Sequence, residues 1–142
     1  MRRGARARAF GRQVNFGFEK VERLPGNVGY LELRSFGFEP EWIGDAAAAA
    51  FDFLVNTEAL IIHVRRNGGG SPGMVAFVSS YLFPITNTNW ERVGVRPDVA
   101  VSSDQALRTA HLAALRVLRE GATEPERRRQ LDEAIAEVEG RP

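Results

Sequence analysis

The sequence predicts an α/β layered fold, and three observations carry that prediction. Short runs of β-favouring residues alternate with longer runs whose apolar positions recur at helical spacing. The stretch Ala59 to Val64 is apolar, carries no turn signal and leads through Arg65, Arg66 and Asn67 into Gly68, Gly69, Gly70 and a Ser71-Pro72 pair. That order reads as buried strand, glycine loop and helix. The composition is that of a folded domain: 142 residues, 44% hydrophobic and 26% charged, enough chain to bury one core.

Taken in order, the chain begins with Arg2, Arg3, Arg6, Arg8 and Arg12 and no acid among them. Without a clear apolar face, residues 1–13 read as a solvated basic tail rather than a targeting segment. Val14 to Val21 alternates apolar and polar side chains and predicts a half-buried strand. Leu24-Pro25-Gly26-Asn27 supplies a turn, and Val28 to Leu33 returns as the second strand of a hairpin. Pro40 opens a helix whose apolar stripe is Ile43, Ala47, Ala50 and Leu54. After the glycine loop, Ser71 caps a helix with Val75, Val78 and Leu82 on one face, stopped at Phe83-Pro84.

A polar loop holding Trp90 then precedes a short strand around Val93 to Val101. Ser102 and Gln105 form a capping box for a helix lined by Leu107, Ala110, Ala114 and Leu118 and ended by Gly121. Thr123 and Glu126 cap the last helix, with Leu131, Ile135 and Val138 as its stripe and Arg127, Arg128 and Arg129 as a solvated face. The expected organisation is a basic tail over 1–13, an α/β domain over 14–121 and a C-terminal helix over 122–142.

Several chemistries are excluded or weakened by composition. A net charge of +1 argues against nucleic acid or a membrane surface as the main partner. The absence of cysteine rules out disulfides and thiolate catalysis. No apolar run reaches membrane-spanning length and no signal-peptide core is present, which makes the cytoplasm the default compartment. His63 and His111 are the only histidines, and neither has a partner at metal-ligand spacing, so no metal and no cofactor are expected. His63, inside an apolar strand, reads as a core or sheet-edge side chain.

Gly69-Gly70-Ser71-Pro72-Gly73 matches the G-x-S-x-G of a nucleophile elbow, with Asp98, Asp104 and His111 following in the chain order Ser, Asp, His. Pro72 counts against it, because the residue after an elbow serine must donate a backbone N–H that proline lacks. The phosphate-loop pattern fails as well, since no lysine follows the glycines and Lys20 is the only one in the chain. Three consecutive glycines can still present backbone N–H groups to an anionic oxygen, with Arg65, Arg66 and Asn67 as anion or peptide contacts.

Three blocks, Asn15 to Phe36, Thr57 to Val75 and Thr86 to Val101, resemble the carboxyl-terminal processing (tail-specific) serine peptidases, in the branch related to interphotoreceptor retinoid-binding protein. The resemblance implies a crotonase-like or Clp-protease-like spiral of strand-strand-helix units. It also implies that the glycine loop at Gly68, Gly69 and Gly70, Gly69 above all, lends an oxyanion-hole N–H. The block that carries the family's serine, T-F-S-x-A-E-E, is not found; Tyr81 to Phe83 runs straight into Pro84. The family's lysine or histidine base has no counterpart either. His63 stands where relatives usually have aspartate, and Asn87 and Arg92 replace usual glycines.

The expectation is therefore an incomplete spiral with an internal deletion at 83/84 and no catalytic residue of its own. It would be a silent peptidase-family domain whose family substrate is a peptide or protein. The alternatives are a peptide- or lipophilic-ligand-binding module, or an active peptidase gene read incorrectly across that join. Loss of a strand and helix would expose a sheet edge and favour self-association.

Overall fold

The computed structural model describes residues 2–81 and 98–140. Its centre is a three-stranded sheet in the order β1-β2-β3, formed by β1 (Phe18–Leu24), β2 (Val28–Leu33) and β3 (Ala59–His63). β1 and β2 make the expected antiparallel hairpin, from Phe18 opposite Leu33 to Leu24 opposite Val28. The turn between them works because Gly26 and Asn27 both accept positive φ, 77° and 62°. β3 lies parallel to β2, from Val28 beside Ala59 to Glu32 beside His63, which requires the crossover that α2 (Pro40–Leu54) provides.

Helices cover both faces. On one, Leu31, Leu33 and Phe18 meet Ile43, Ala47, Ala50 and Leu54 of α2 and Met74 and Val78 of α3 (Pro72–Ser80). On the other, Val28 packs with Leu115 of α4 (Ala106–Gly121) and with Leu131, Ala134 and Val138 of α5 (Pro125–Glu139). Being central and covered twice, β2 is buried at all six positions. The fold is thus mixed α/β, as the alternating pattern predicts. The α2 stripe matches the sequence reading residue for residue.

Several expectations are corrected. The basic segment 1–13, expected as a solvated tail, is helical: Arg2–Gln13 forms α1, exposed along most of its length. Its arginines and alanines are strong helix formers, and Gly11 lets the helix approach, since a Cβ there would sit 2.6 Å from the Phe16 ring. The first strand begins at Phe18, not Val14. Asn15, Phe16 and Gly17 all have positive φ and form a tight 3-10 turn that buries Phe16 edge-on against Phe38.

β3 is half-buried rather than buried, because it is an edge strand. In α3 the buried pair is Met74 and Val78, while Val75 is exposed. α4 buries His111 and Leu115 and leaves Leu107 exposed. Neither expected cap of the last two helices forms: α4 starts after Gln105 and α5 after Glu124, without a side-chain cap. Arg127 is not a solvated side chain, since it reaches the Gly26 carbonyl at 3.0 Å and Glu58 at 2.8 Å. α5, the expected C-terminal helix, shares a core with the sheet through its stripe. Leu82, the stop at Phe83-Pro84, Trp90 and the start of the strand from Val93 lie outside the described residues; Val99 and Val101, within them, are exposed and in no strand. Among the described residues no helix is long and apolar enough to cross a membrane.

Candidate functional site

The glycine loop joins the end of β3 to the start of α3 and is bonded to the chain that continues β2. Gly68 N–H donates to the Arg34 carbonyl at 3.0 Å, Phe36 N–H to the Gly69 carbonyl at 2.8 Å, and Ser71 N–H to the Phe36 carbonyl at 2.8 Å. Phe36 and Gly70 therefore form a parallel bridge beyond the sheet proper. Asn67 ties the loop to β2 through Nδ2, which donates to the Leu33 carbonyl at 3.1 Å, while its Oδ1 accepts the Gly69 N–H at 2.7 Å.

The loop's donors are thus largely committed. Gly69, the donor the resemblance implies, has its N–H on the Asn67 side chain, and Gly68 has its own on Arg34. The Gly70 N–H, in an exposed residue, meets no acceptor among the described residues. Glycine at 70 is demanded by contact as well as by its φ of 154°, since a Cβ would lie 1.9 Å from the Phe36 carbonyl carbon. Arg65 turns away to donate to the Ser103 carbonyl. There it also helps, after the Ser102 hydroxyl, to hold the Asp104 carboxyl below its ordinary range. Arg66 is exposed and lies near enough to Tyr30 to favour its ionised form.

The elbow residues do not assemble. The Ser71 hydroxyl accepts the Met74 N–H at 3.2 Å and is the N-cap of α3. His111 is buried on the opposite face of the sheet, 2.9 Å from the Pro25 carbonyl through Nε2. Because a carbonyl only accepts, Nε2 carries the hydrogen. Ser71→Ala should therefore behave as a lost cap, costing about 1 kcal/mol in urea unfolding. A loss several times larger would assign the hydroxyl another role.

Sequence reasoning missed a polar cluster at the C-terminal ends of β2 and β3. Glu32 and Tyr30 are both buried, two positions apart on one strand face, and His63 is the strand neighbour of Glu32. The Tyr30 hydroxyl donates to Glu32 Oε2 at 3.3 Å and lies 2.5 Å from His63 Nδ1. With the phenol hydrogen directed at Glu32, the His63 tautomer that fits the shorter contact is the one carrying its hydrogen on Nδ1. Burial first, and then the Glu32 carboxylate, push the Tyr30 phenol above its usual range. Arg34 Nε is 2.7 Å from Glu32 Oε1, close enough to be an ion pair but not aligned as a hydrogen bond.

The legible signal was Glu32 itself, an acid in the otherwise apolar V-G-Y-L-E-L of β2. Tyr30 is the only hydroxyl bonded to His63 or Glu32 among the described residues, so the cluster orients an imidazole without activating a nucleophile. Among those residues, no group of three or more histidine, aspartate or glutamate side chains is placed to hold a metal. Compared with protein-family models, curated proteins and solved structures, the chain matches none.

Proposed function

We propose that this chain is a catalytically silent domain of the tail-specific serine peptidase type, in which the glycine loop is retained as a structural clasp without an activated nucleophile beside it among the described residues. The observation that carries this reading is how the loop spends its groups. Ser71 caps a helix, Pro72 has no N–H to offer, and the N–H groups of Gly69 and Gly68 are bonded within the loop and to the chain leaving β2. Acyl transfer needs an activated nucleophile with a base in reach, and an oxyanion donor alone supplies only a small residual acceleration.

Incubation with a fluorophosphonate probe and with casein tests the proposal. No serine should be labelled and no casein cleaved. Stoichiometric labelling, at Ser71 above all, together with turnover would overturn it. One observation favours a second reading, a module that binds a peptide or lipophilic ligand. An open groove of about 570 Å³ lies between the end of α2 and β3, lined by Phe51, Leu54, Val55, Leu60 and Tyr81 among others. Saturable uptake of a fluorescent fatty acid, displaced by Leu60→Lys, would favour that module.

A further inference from the structure

The two edges of the sheet are unlike. The outer edge of β1 carries Lys20, Glu22 and Arg23 and a register irregularity between Phe18 and Lys20, devices that discourage another strand from adding. β3 reads Ala-Leu-Ile-Ile-His, with no lysine, proline or bulge, and its outer edge is unpaired among the described residues. Leu60 and Val64 are exposed beside it, at 36% and 45%.

The ends of the strand are oppositely charged. Glu58 stands just before it, with one carboxylate oxygen on Arg127, and Arg66 just after, both exposed, while Arg65 turns to the Ser103 carbonyl. A strand that is acidic at its start and basic at its end complements a copy of itself running the other way. We infer that the open edge of β3 pairs antiparallel with β3 of a second copy, about a two-fold axis through Ile62. This inference stands apart from the peptidase reading.

The register follows from which side chains would meet. With Ile62 opposite itself, Leu60 of one copy faces Val64 of the other, and Glu58 lies at the Arg66 end. Sliding by two positions in one direction puts Val64 opposite Glu58, and in the other puts Leu60 opposite Arg66. Sliding by one would put the side chains of one core face against those of the other. The two-fold pairing is isologous, so every favourable pair off the axis occurs twice.

The chain has no cysteine, so single-cysteine variants report the register without background. Opposed residues of antiparallel strands have Cα atoms about 4.5–5.5 Å apart, inside the range a disulfide spans. Ile62→Cys should therefore cross-link to itself under mild oxidation. Leu60→Cys should not, its two copies being about 14 Å apart, yet a mixture of Leu60→Cys and Val64→Cys should cross-link.

Sedimentation of the full chain should show a concentration-dependent dimer, weakened about tenfold or more by Leu60→Lys. A thermal melt establishes that each variant folds. Should Ile62→Cys fail to fold, the Leu60 and Val64 pair at exposed positions carries the test. Three results would overturn the inference: a monomer at every concentration, self-cross-linking of Leu60→Cys in place of Ile62→Cys, or association that Leu60→Lys leaves unchanged. A monomer that takes up an extended peptide along β3 instead would assign the edge to a different partner.

Discussion

Replacing Gly70 with alanine should destabilise the protein by about 3 kcal/mol or more, whereas Gly68→Ala should stay within about 1 kcal/mol of the parent. The two glycines are neighbours but one in sequence, and their surroundings differ. A Cβ on Gly70 would lie 1.9 Å from the Phe36 carbonyl carbon and 2.3 Å from the Gly37 nitrogen, both backbone atoms that cannot swing aside. Relief requires breaking the Phe36 bridge, and with it two hydrogen bonds of 2.8 Å that hold the loop to the chain leaving β2. Nothing lies within 4 Å of a Cβ on Gly68. Urea unfolding of both variants decides the matter, and equal losses would mean that the clasp does not depend on the close approach at 70.

Leu115→Ala should cost about 3 kcal/mol, and Leu107→Ala no more than about 0.5 kcal/mol. Leu115 is fully buried and joins Val28 of the sheet to Leu131, Ala134 and Val138 of α5. Truncating it removes apolar area and leaves a cavity that two helices and a strand cannot close together. Leu107, which helical spacing puts on the core stripe, is 40% exposed. Chemical denaturation read by circular dichroism measures both. A larger loss at Leu107 would mean that α4 faces the sheet with the side the sequence suggested.

That contrast shows where the sequence could and could not be read. The stripe of α2 was legible from its spacing, since Ile43 and Leu54 lie about three helical turns apart and bracket Ala47 and Ala50 within the alanine run. In α4 nearly every second residue is apolar or alanine, so several stripes fit the same segment. The buried face carries His111 with Leu115, and His111 Nε2 bonds to the Pro25 carbonyl 86 positions away, a partner that no local pattern announces. The start of the first strand failed for a similar reason. Val14, Phe16 and Phe18 alternate as a strand would, but Gly17 packs against Ser35 and the chain takes positive φ from Asn15 through Gly17.

In the candidate site, the loop between β3 and α3 and the capping role of Ser71 were readable from glycine, serine and proline chemistry. Which N–H groups the loop leaves open was not, because Asn67 and the Arg34 and Phe36 carbonyls decide it. The Tyr30, Glu32 and His63 cluster was unreadable as a unit because its members come from two strands whose register only the fold supplies.

Arg127 bears on how the chain is made as well as on how it is held. Its bonds to the Gly26 carbonyl and to Glu58 span 101 and 69 positions of chain, and the apolar cover of Val28 comes largely from the same late helix. At roughly 5–20 residues per second of synthesis, the hairpin exists for about 5–20 s before the segment that shields its second face has emerged. Throughout that interval one layer of the core is open to water and to other nascent chains. A ribosome pausing before α5 would therefore hold a half-covered sheet, the species on which a chaperone would act.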